Sequence, residues 1–342
     1  MPEPLLSIKD LVVEFDTDDG VVHAVDGVSY EVFPGETLGV VGESGSGKSV
    51  TVMSILGLIP QPPGRIENGS ATFKGEDLLR ASKEDLRRIR GREIAMVFQD
   101  PMTSLNPVFT VGDQLEEAVK VHDPKVGDEA ARNKAIELLE LVGVPNPQRR
   151  VDQYPHEYSG GMRQRAMIAM AIANQPAVLI ADEPTTALDV TIQAQILEVL
   201  KTAQEETHAA TILITHDLGL IAEMAQRVVV MYAGHVVEVG DVETIFHAPR
   251  HPYTLGLMNS LPRLEADESR LEPIPGQPPS LLNVPPGCPF HPRCKLSQDR
   301  AVCREQNPPL EAIDHPSHLS ACHFKHEMKG EMSKFASGGV AS

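Results

Sequence analysis

Eight consecutive residues constrain the fold of this chain more than any other stretch. They are Gly42, Glu43, Ser44, Gly45, Ser46, Gly47, Lys48 and Ser49, and they fit the phosphate-binding pattern G-x-x-x-x-G-K-[ST]. Glycines let successive backbone N–H groups turn towards the phosphates of a nucleotide. The Lys48 ammonium suits the β- and γ-phosphates, and the Ser49 hydroxyl suits Mg²⁺. The pattern predicts a nucleotide site that extends to Val50.

The elements on either side of this loop match the structural context that the pattern requires. Thr37–Val41 is an apolar run typical of a buried strand, and residues 50–58 have the composition of a helix. The N-terminus of such a helix attracts anions, because its backbone N–H groups and its dipole both point at them. A chance glycine- and serine-rich turn is the alternative, and the strand–loop–helix order argues against it.

Composition limits the partners that this chain is expected to have. The formal net charge of −18 disfavours nucleic acid, because phosphate backbones require a basic surface. No signal peptide is indicated at the start, and the longest apolar run, 166–173, is far below the roughly 20 residues that span a bilayer. We therefore expect any association with a membrane to come through other proteins.

Apolar runs and helical stretches alternate along the chain. Runs typical of strands occur at 5–13, 25–32, 71–73, 94–98, 177–181, 211–214 and 228–231. Helical spacing dominates 111–143 and 191–201. This alternation predicts an α/β fold with a mostly parallel sheet. A helical subdomain, about residues 100–172, is expected to be inserted between two of its strands.

Polar residues follow three of these strands, at the sheet edge where α/β proteins bind ligands. Asp182 is suited to Mg²⁺, and Glu183 to orienting or deprotonating an attacking water. Gln99 is expected to reach Mg²⁺ or that water through its amide oxygen, and His216 to contact the γ-phosphate. An acidic turn and a structural histidine are the alternatives for these positions.

A second candidate anion site precedes the helical run 166–173. Ser159, Gly160 and Gly161 would present free N–H groups at a helix N-terminus, with Gln164 one turn further on. A helix cap formed by Ser159 explains the same residues, and local physics favours that cap. Both interpretations stay open on the residues alone.

Together these motifs resemble the ATP-binding cassette (ABC) ATPases, over about residues 5–255. The order matches: the phosphate loop, Gln99, the signature 158–164, then Asp182 and Glu183, with His216 last. The resemblance implies a P-loop core with a helical subdomain. It implies ATP with Mg²⁺ held by Ser49, Gln99 and Asp182, a D-loop at Asp189, and an aromatic, Phe15, stacked on adenine. It also implies a head-to-tail dimer in which the signature of one subunit caps ATP on the other.

Further stretches are similar to the ATPase subunits of oligopeptide, dipeptide and nickel importers. They are His251-Pro252-Tyr253-Thr254, Leu261-Pro262, Pro275-Gly276 and the segment 288–294, together with 99–107 and 154–156. This resemblance implies ATP-driven import of peptides across the cytoplasmic membrane. Its implied partners are a second, paralogous ATPase subunit, two membrane-spanning permease subunits and an extracytoplasmic solute-binding protein. Nickel or another small solute is the alternative cargo, and a non-transport ABC ATPase the alternative class.

The C-terminal part differs in composition from the rest of the chain. Prolines crowd residues 256–328, so long regular elements are not expected there, and 329–342 is predicted to be a flexible tail. Four cysteines, Cys288, Cys294, Cys303 and Cys322, are separated by five, eight and eighteen residues. Four thiolates can bind Zn²⁺ or a [4Fe–4S] cluster, and the absence of a short C-x₂₋₄-C spacing favours the cluster. Zinc, with a histidine as a possible ligand, and unligated thiols are the alternatives.

Overall fold

The computed structural model describes residues 3–186, 188–260, 274–297 and 300–329. Strands occur throughout these ranges: β1 (Leu6–Thr17), β2 (Gly20–Val32), β3 (Thr37–Val41), β4 (Gly64–Phe73), β5 (Glu76–Asp77), β6 (Ile94–Val97), β7 (Val178–Asp182), β8 (Ala210–Thr215), β9 (Arg227–Tyr232), β10 (His235–Asp241), β11 (Glu311–Ala312) and β12 (Leu319–Ser320). The α-helices are α1 (Lys48–Ile55), α2 (Lys83–Ile89), α3 (Pro101–Ser104), α4 (Val111–Lys120), α5 (Asp128–Leu141), α6 (Pro147–Arg150), α7 (Gly160–Ile172), α8 (Val190–Thr207), α9 (Leu218–Met224), α10 (Val242–His247), α11 (Pro252–Asn259) and α12 (Ala301–Glu305).

The chain forms two compact units. The first consists mainly of residues 80–215, and the second of residues 6–31, 38–79 and the described residues from 216 onward. In the part of the chain that the structure describes, no helix is long and apolar enough to cross a membrane.

Three parallel strands form the centre of the first unit. β6 pairs with β7, and β7 pairs with β8, so that Val97, Ala181 and Leu213 lie side by side. β7 and β8 are buried along their whole length, as expected for a parallel sheet covered on both faces. Helices α3 to α7 lie between β6 and β7 in the sequence, where the helical insertion was expected.

The second unit combines antiparallel and parallel pairing. β1 pairs with β4 in an antiparallel sheet whose order is β2-β1-β4-β5. β3 pairs in parallel with β9, and β9 continues in an antiparallel pair with β10. The short strands β12 and β11 extend this sheet beyond β10. The strand that leads into the phosphate loop, β3, is therefore held from one side by β9.

Several predicted boundaries need correction. The helical stretch 111–143 is two helices, α4 and α5, because Pro124 lies in the turn between them and proline cannot continue a helix. β4 begins at Gly64 rather than at Ala71, and α1 begins at Lys48 rather than at Val50. β10 was not predicted, although His235–Asp241 pairs with β9 along its length.

Short elements make up the described C-terminal residues 274–329, as the proline content predicted. A buried carboxylate anchors them: Glu238 on β10 is fully buried and accepts hydrogen bonds from the backbone N–H groups of Arg250 (2.5 Å) and His251 (3.0 Å). His318 Nε2 lies 2.8 Å from the same carboxylate. Residues 261–273, and the predicted tail apart from Lys329, lie outside the described residues.

Candidate nucleotide site and cysteine site

The phosphate loop of the second unit has the backbone that its glycines predict. Gly47 has φ 96°, and a Cβ there would lie 2.5 Å from the carbonyl oxygen of Ala24. Gly42 approaches the carbonyl oxygen of Met231 so closely that a Cβ would clash with it. No other residue fits at either position, because both require the absence of a side chain. The loop is therefore packed against β9 and the neighbouring backbone.

Lys48 turns back over the loop from the first residue of α1. Its Nζ donates to the carbonyl oxygens of Gly42 (2.8 Å) and Glu43 (3.0 Å), and its side chain is largely buried. The loop also closes on itself, because the N–H of Ser46 donates to the carbonyl of Glu43 at 3.2 Å. The Lys48 ammonium is thus held against the backbone of the loop, and phosphate binding requires a positive charge there.

Asp182 is the last residue of β7 in the first unit, and Glu183 follows directly after the strand. Asp182 is only 5% exposed. Glu183 adopts φ 45°, a left-handed conformation that a non-glycine residue rarely holds and that concentrates at functional sites. Its Oε2 accepts hydrogen bonds from Gln99 Nε2 (2.9 Å) and Thr186 Oγ1 (2.9 Å). The structure therefore brings Gln99 and Glu183 together; the contact from Thr186 was not predicted.

His216 and Phe15 belong to the second unit. His216 directly follows β8 in the chain and is exposed. Phe15 lies on β1 beside Gly64 of β4, where a Cβ on Gly64 would lie 2.9 Å from the Phe15 ring. Phe15 is half-buried, so one part of its ring remains accessible.

Ser159 caps α7, as the local sequence favoured. Its side chain accepts a hydrogen bond from the N–H of Met162 at 3.3 Å. A Cβ on Gly161 would lie 2.9 Å from Ile192, so glycine allows α7 and α8 to approach closely. Gly160 is exposed, whereas Gln164 is 1% exposed. Gln164 therefore needs to turn outward before it can contact a nucleotide held by a second subunit.

Asp189, the predicted D-loop residue, forms the cap of α8. Its side chain accepts a hydrogen bond from the N–H of Ile192 at 3.0 Å. The preceding D-loop residue Ala187 lies outside the described residues. A capping carboxylate favours a helix start, so this contact alone accounts for an aspartate at the position.

The four cysteines line one cavity in the second unit, together with His251, His291 and His323. None of them forms a disulfide. Burial, with the neighbouring cysteines adding to it, raises the pKa of Cys288 to about 11 and that of Cys322 to about 12. Across the described residues, no three histidine, cysteine or acidic side chains lie close enough to hold a single metal ion.

Two contacts on the phosphate loop were not predicted from the sequence. The described residues 288–297 and 300–303 contain three of the four cysteines and are called the cysteine segment below. Arg293, in this segment, donates to both carboxylate oxygens of Glu43, and the N–H of Glu43 donates to the hydroxyl of Tyr253 at 2.8 Å. These residues lie 250 and 210 positions away from Glu43 along the chain. No local pattern signals a contact over such a separation.

A strand that ends in a glycine-rich loop, with the lysine of that loop at the start of a helix, defines a P-loop nucleotide-binding protein. Comparison with known sequences narrows this class. Residues 25–186 match the ABC transporter family, and residues 237–303 match the oligopeptide/dipeptide transporter C-terminal region.

Curated relatives match over nearly the whole chain. The dipeptide transport ATP-binding protein of Bacillus subtilis is 52% identical over 94% of this chain and 94% of its own length. The corresponding protein of Escherichia coli is 52% identical over 94% of this chain and 96% of its own. The oligopeptide transport ATP-binding protein of Bacillus subtilis is 54% identical over 90% of this chain and 85% of its own length.

Solved structures support the same fold. The ATP-binding cassette MJ0796, solved as a dimer in a post-hydrolysis state with ADP and phosphate, matches with a TM-score of 0.62 and 26% identity, over 69% of this chain and 98% of that chain. Clostridium perfringens cbiO1, part of an ABC transporter complex, matches with a TM-score of 0.60. The chain belongs to the family of ABC transporter ATP-binding subunits, in the group that carries the oligopeptide/dipeptide transporter C-terminal region, and it is an ATPase.

Proposed function

We propose that this chain hydrolyses ATP to drive the import of dipeptides or oligopeptides across the cytoplasmic membrane. The observation that carries the proposal is the match over 94% of the chain to dipeptide transport ATP-binding proteins, together with the match of its C-terminal part to the peptide-transporter region. Import of nickel or another small solute is the second candidate, and it shares the same ATPase chemistry. A non-transport ABC ATPase is less well supported, because the peptide-transporter region has no use there.

The phosphate loop is proposed to bind ATP through residues 42–50. Its backbone N–H groups and Lys48 surround the β- and γ-phosphates, and Phe15 stacks on the adenine. Ser49, Gln99 and Asp182 offer a hydroxyl, an amide and a carboxylate oxygen, the hard ligands that suit Mg²⁺. When bound, Mg²⁺ neutralises charge on the phosphates.

Glu183 is proposed to orient and deprotonate the attacking water, with His216 contacting the γ-phosphate. The strained backbone at Glu183 and the hydrogen bonds from Gln99 and Thr186 support this role, because they fix the carboxylate in one orientation. A carboxylate held in this way can accept a proton from water as the phosphorus–oxygen bond forms. The bond between the γ-phosphorus and the bridging oxygen breaks as the new bond forms, and ADP leaves with the bonding electron pair. Glu183 then passes its proton to the departing phosphate or to solvent.

A second ATPase subunit, expected to be a paralogue, is proposed to complete each nucleotide site. Ser159, Gly160, Gly161 and Gln164 would face the nucleotide of that partner, and Asp189 would lie at the same interface. The exposure of Gly160 at the start of α7 supports this arrangement, since the first N–H groups of a helix have no partner within it.

Three exposed apolar side chains within residues 102–109 of the first unit, called the docking patch below, are proposed to dock the membrane-spanning subunits. Met102 is 63% exposed, Val108 71% and Phe109 52%. The stretch 153–155 borders them, because the N–H of Val111 donates to the carbonyl of Gln153 and Arg163 contacts both Met102 and the carbonyl of Pro155. Large apolar side chains gathered at a surface mark an interaction site. Two permease subunits, supplied by an extracytoplasmic solute-binding protein, are the proposed partners, which makes the chain peripheral on the cytoplasmic face.

The cysteine site is proposed to hold a [4Fe–4S] cluster, with Zn²⁺ as the alternative. Cys288, Cys294, Cys303 and Cys322 all line one cavity, which supports a four-thiolate site. Because no three of the described side chains are within reach of a single ion, the thiolates would have to draw together around the bound group. Such a group would act as a staple, because the described C-terminal residues contain few long elements to stabilise them.

Peptide uptake by cells tests the proposed function. A chromosomal Glu183→Gln substitution is expected to abolish accumulation of a radiolabelled tripeptide or dipeptide, while Glu137→Gln on the exposed face of α5 leaves it intact. Nickel uptake is measured in the same strains. Normal peptide uptake with lost nickel uptake would replace the proposal by its second candidate.

A further inference from the structure

Arg293, a residue of the cysteine segment, binds directly to the phosphate loop. Arg293 lies in the short turn His291–Arg293, next to Cys294, and its side chain is only 6% exposed. Its Nη1 donates to Oε2 of Glu43 at 2.6 Å, and its Nη2 donates to Oε1 at 3.0 Å. This is the two-pronged geometry in which arginine binds a carboxylate most strongly.

Every N–H of the Arg293 guanidinium has an acceptor. Nε donates to the carbonyl of Pro275 at 2.9 Å, Nη1 also donates to the hydroxyl of Tyr232 at 3.3 Å, and Nη2 also donates to the carbonyl of Gly276 at 3.4 Å. A guanidinium has five N–H donors, so none is left over. Lysine cannot reproduce this set, because it has three donors and no planar fork.

Glu43 is held a second time through its backbone. Its N–H donates to the hydroxyl of Tyr253 at 2.8 Å, and Tyr253 is fully buried against Tyr232 and Phe290, with ring centroids 4.6 Å and 5.4 Å away. Phe290 also lines the cavity of the four cysteines. The second residue of the phosphate loop is therefore fixed from outside the loop at both its side chain and its backbone.

The shape of the loop depends on Glu43. Its carbonyl oxygen accepts from Lys48 Nζ at 3.0 Å and from the N–H of Ser46 at 3.2 Å. A rotation of Glu43 would move the carbonyl that positions the lysine ammonium. A loop that is already in its binding form loses less conformational entropy when a nucleotide arrives.

We propose that Arg293 is a positioning residue of the nucleotide site. By holding Glu43, it keeps residues 42–48 in the conformation that binds the phosphates of ATP. The cysteine segment is then a functional part of the nucleotide site as well as a C-terminal staple. This inference rests on the proposed binding of ATP by the loop.

Equilibrium binding of MgATP to the full-length protein tests the inference. Arg293→Gln and Glu43→Gln are each expected to raise Kd about tenfold, since each removes a charge-assisted pair. The double variant is expected to bind no more weakly than the single variants, because both remove the same contact. Arg293→Lys should recover only part of the affinity. In steady-state hydrolysis, KM should rise with little change in kcat.

Arg300→Gln is the matched control. Arg300 lies in the same segment, pairs with Glu327 at 2.8 Å and stacks on Phe324, but it does not contact the loop. It is expected to bind MgATP with the wild-type Kd. Thermal unfolding of every variant separates loss of fold from loss of affinity, and Glu43→Gln keeps the size of a side chain that is 27% exposed.

Three results would overturn the inference. Wild-type affinity in both single variants would show that the Arg293–Glu43 contact only stabilises the fold and does not influence nucleotide binding. Additive losses in the double variant would show that the two residues act by separate routes. If the Lys48→Ala variant binds MgATP with the wild-type Kd, the proposed use of the loop is refuted, and the inference with it.

Discussion

Gln99 and Glu183 are joined by a hydrogen bond of 2.9 Å, in which the amide Nε2 donates to Oε2 of the carboxylate. The two residues are 84 positions apart and follow the neighbouring parallel strands β6 and β7. The carboxyl ends of adjacent parallel strands meet at one edge of a sheet, so the sheet itself brings the pair together. Glu183 is thereby oriented by a residue that stands at the entrance to the helical insertion.

Removing this hydrogen bond is expected to slow hydrolysis. Gln99→Ala should lower kcat about tenfold, the rate cost of one lost orienting interaction, while MgATP binding changes less. Steady-state phosphate release at saturating ATP measures the effect. An unchanged kcat would mean that Thr186 alone orients the Glu183 carboxylate.

The docking patch makes a separate prediction. Val108→Ser is expected to reduce the stimulation of hydrolysis by the assembled transporter, because it removes a 71% exposed apolar side chain from the proposed interface. Hydrolysis by the isolated chain should stay at its wild-type rate. Val121→Ser is the control, since Val121 is also exposed (51%) but is the C-cap of α4, at the opposite end of that helix from Phe109. Equal effects of the two substitutions would contradict the assignment of the interface.

Metal analysis tests the cysteine site. Protein purified without oxygen is expected to contain about four irons and four acid-labile sulfides per chain, and Cys288→Ser should lose them. Exposure to a chelator and an oxidant should lower the thermal unfolding temperature if the group acts as a staple. Stoichiometric zinc without sulfide would contradict the cluster and favour the zinc alternative.

His235 makes stability depend on pH. Burial lowers the pKa of His235 below its ordinary value near 6.5, although the Asp26 carboxylate opposes the shift. As the pH falls below that value, the unfolded chain binds a proton that the folded chain does not, so the free energy of unfolding decreases. The contribution of His235 is therefore fully present above pH 6.5 and is lost as the pH falls below it. The slope is at most about 1.4 kcal/mol per pH unit.

Urea unfolding at pH 7.5 and pH 5.5 measures this dependence. His235→Gln is expected to reduce the loss of stability between the two pH values. His247→Gln is the control, because the side chain of His247 is 63% exposed. If both substitutions leave the same pH dependence as the wild type, other groups cause it.

Much of the fold follows from local sequence. β3 was predicted with the bounds that the structure shows, because Thr37–Val41 is a continuous apolar run that ends at the glycine-rich phosphate loop. β7 and β8 were placed within a residue for the same reason. β10 was missed, because its polar members His235 and Glu238 break the apolar run and their partners lie elsewhere in the chain.

The same distinction applies to the candidate site, where residues in local motifs were predicted and residues held by distant contacts were not. The loop, Glu183 and Gln99 carry motifs in which each residue type has a chemical reason at its position. Arg293 and Tyr253 carry none, since their roles depend on contacts over more than two hundred residues. The burial of Gln164 could not be predicted either, because the elements that pack around α7 come together only in the folded chain.

Hydrolysis by Glu183→Gln is the most direct measurement of the central claim. The account predicts that this variant binds MgATP with near wild-type affinity and loses hydrolysis about a hundredfold or more, since the amide cannot accept the proton of the attacking water. Glu137→Gln on the surface of α5 should hydrolyse ATP at the wild-type rate. Wild-type hydrolysis by Glu183→Gln would contradict the account, because no other residue has been assigned that proton.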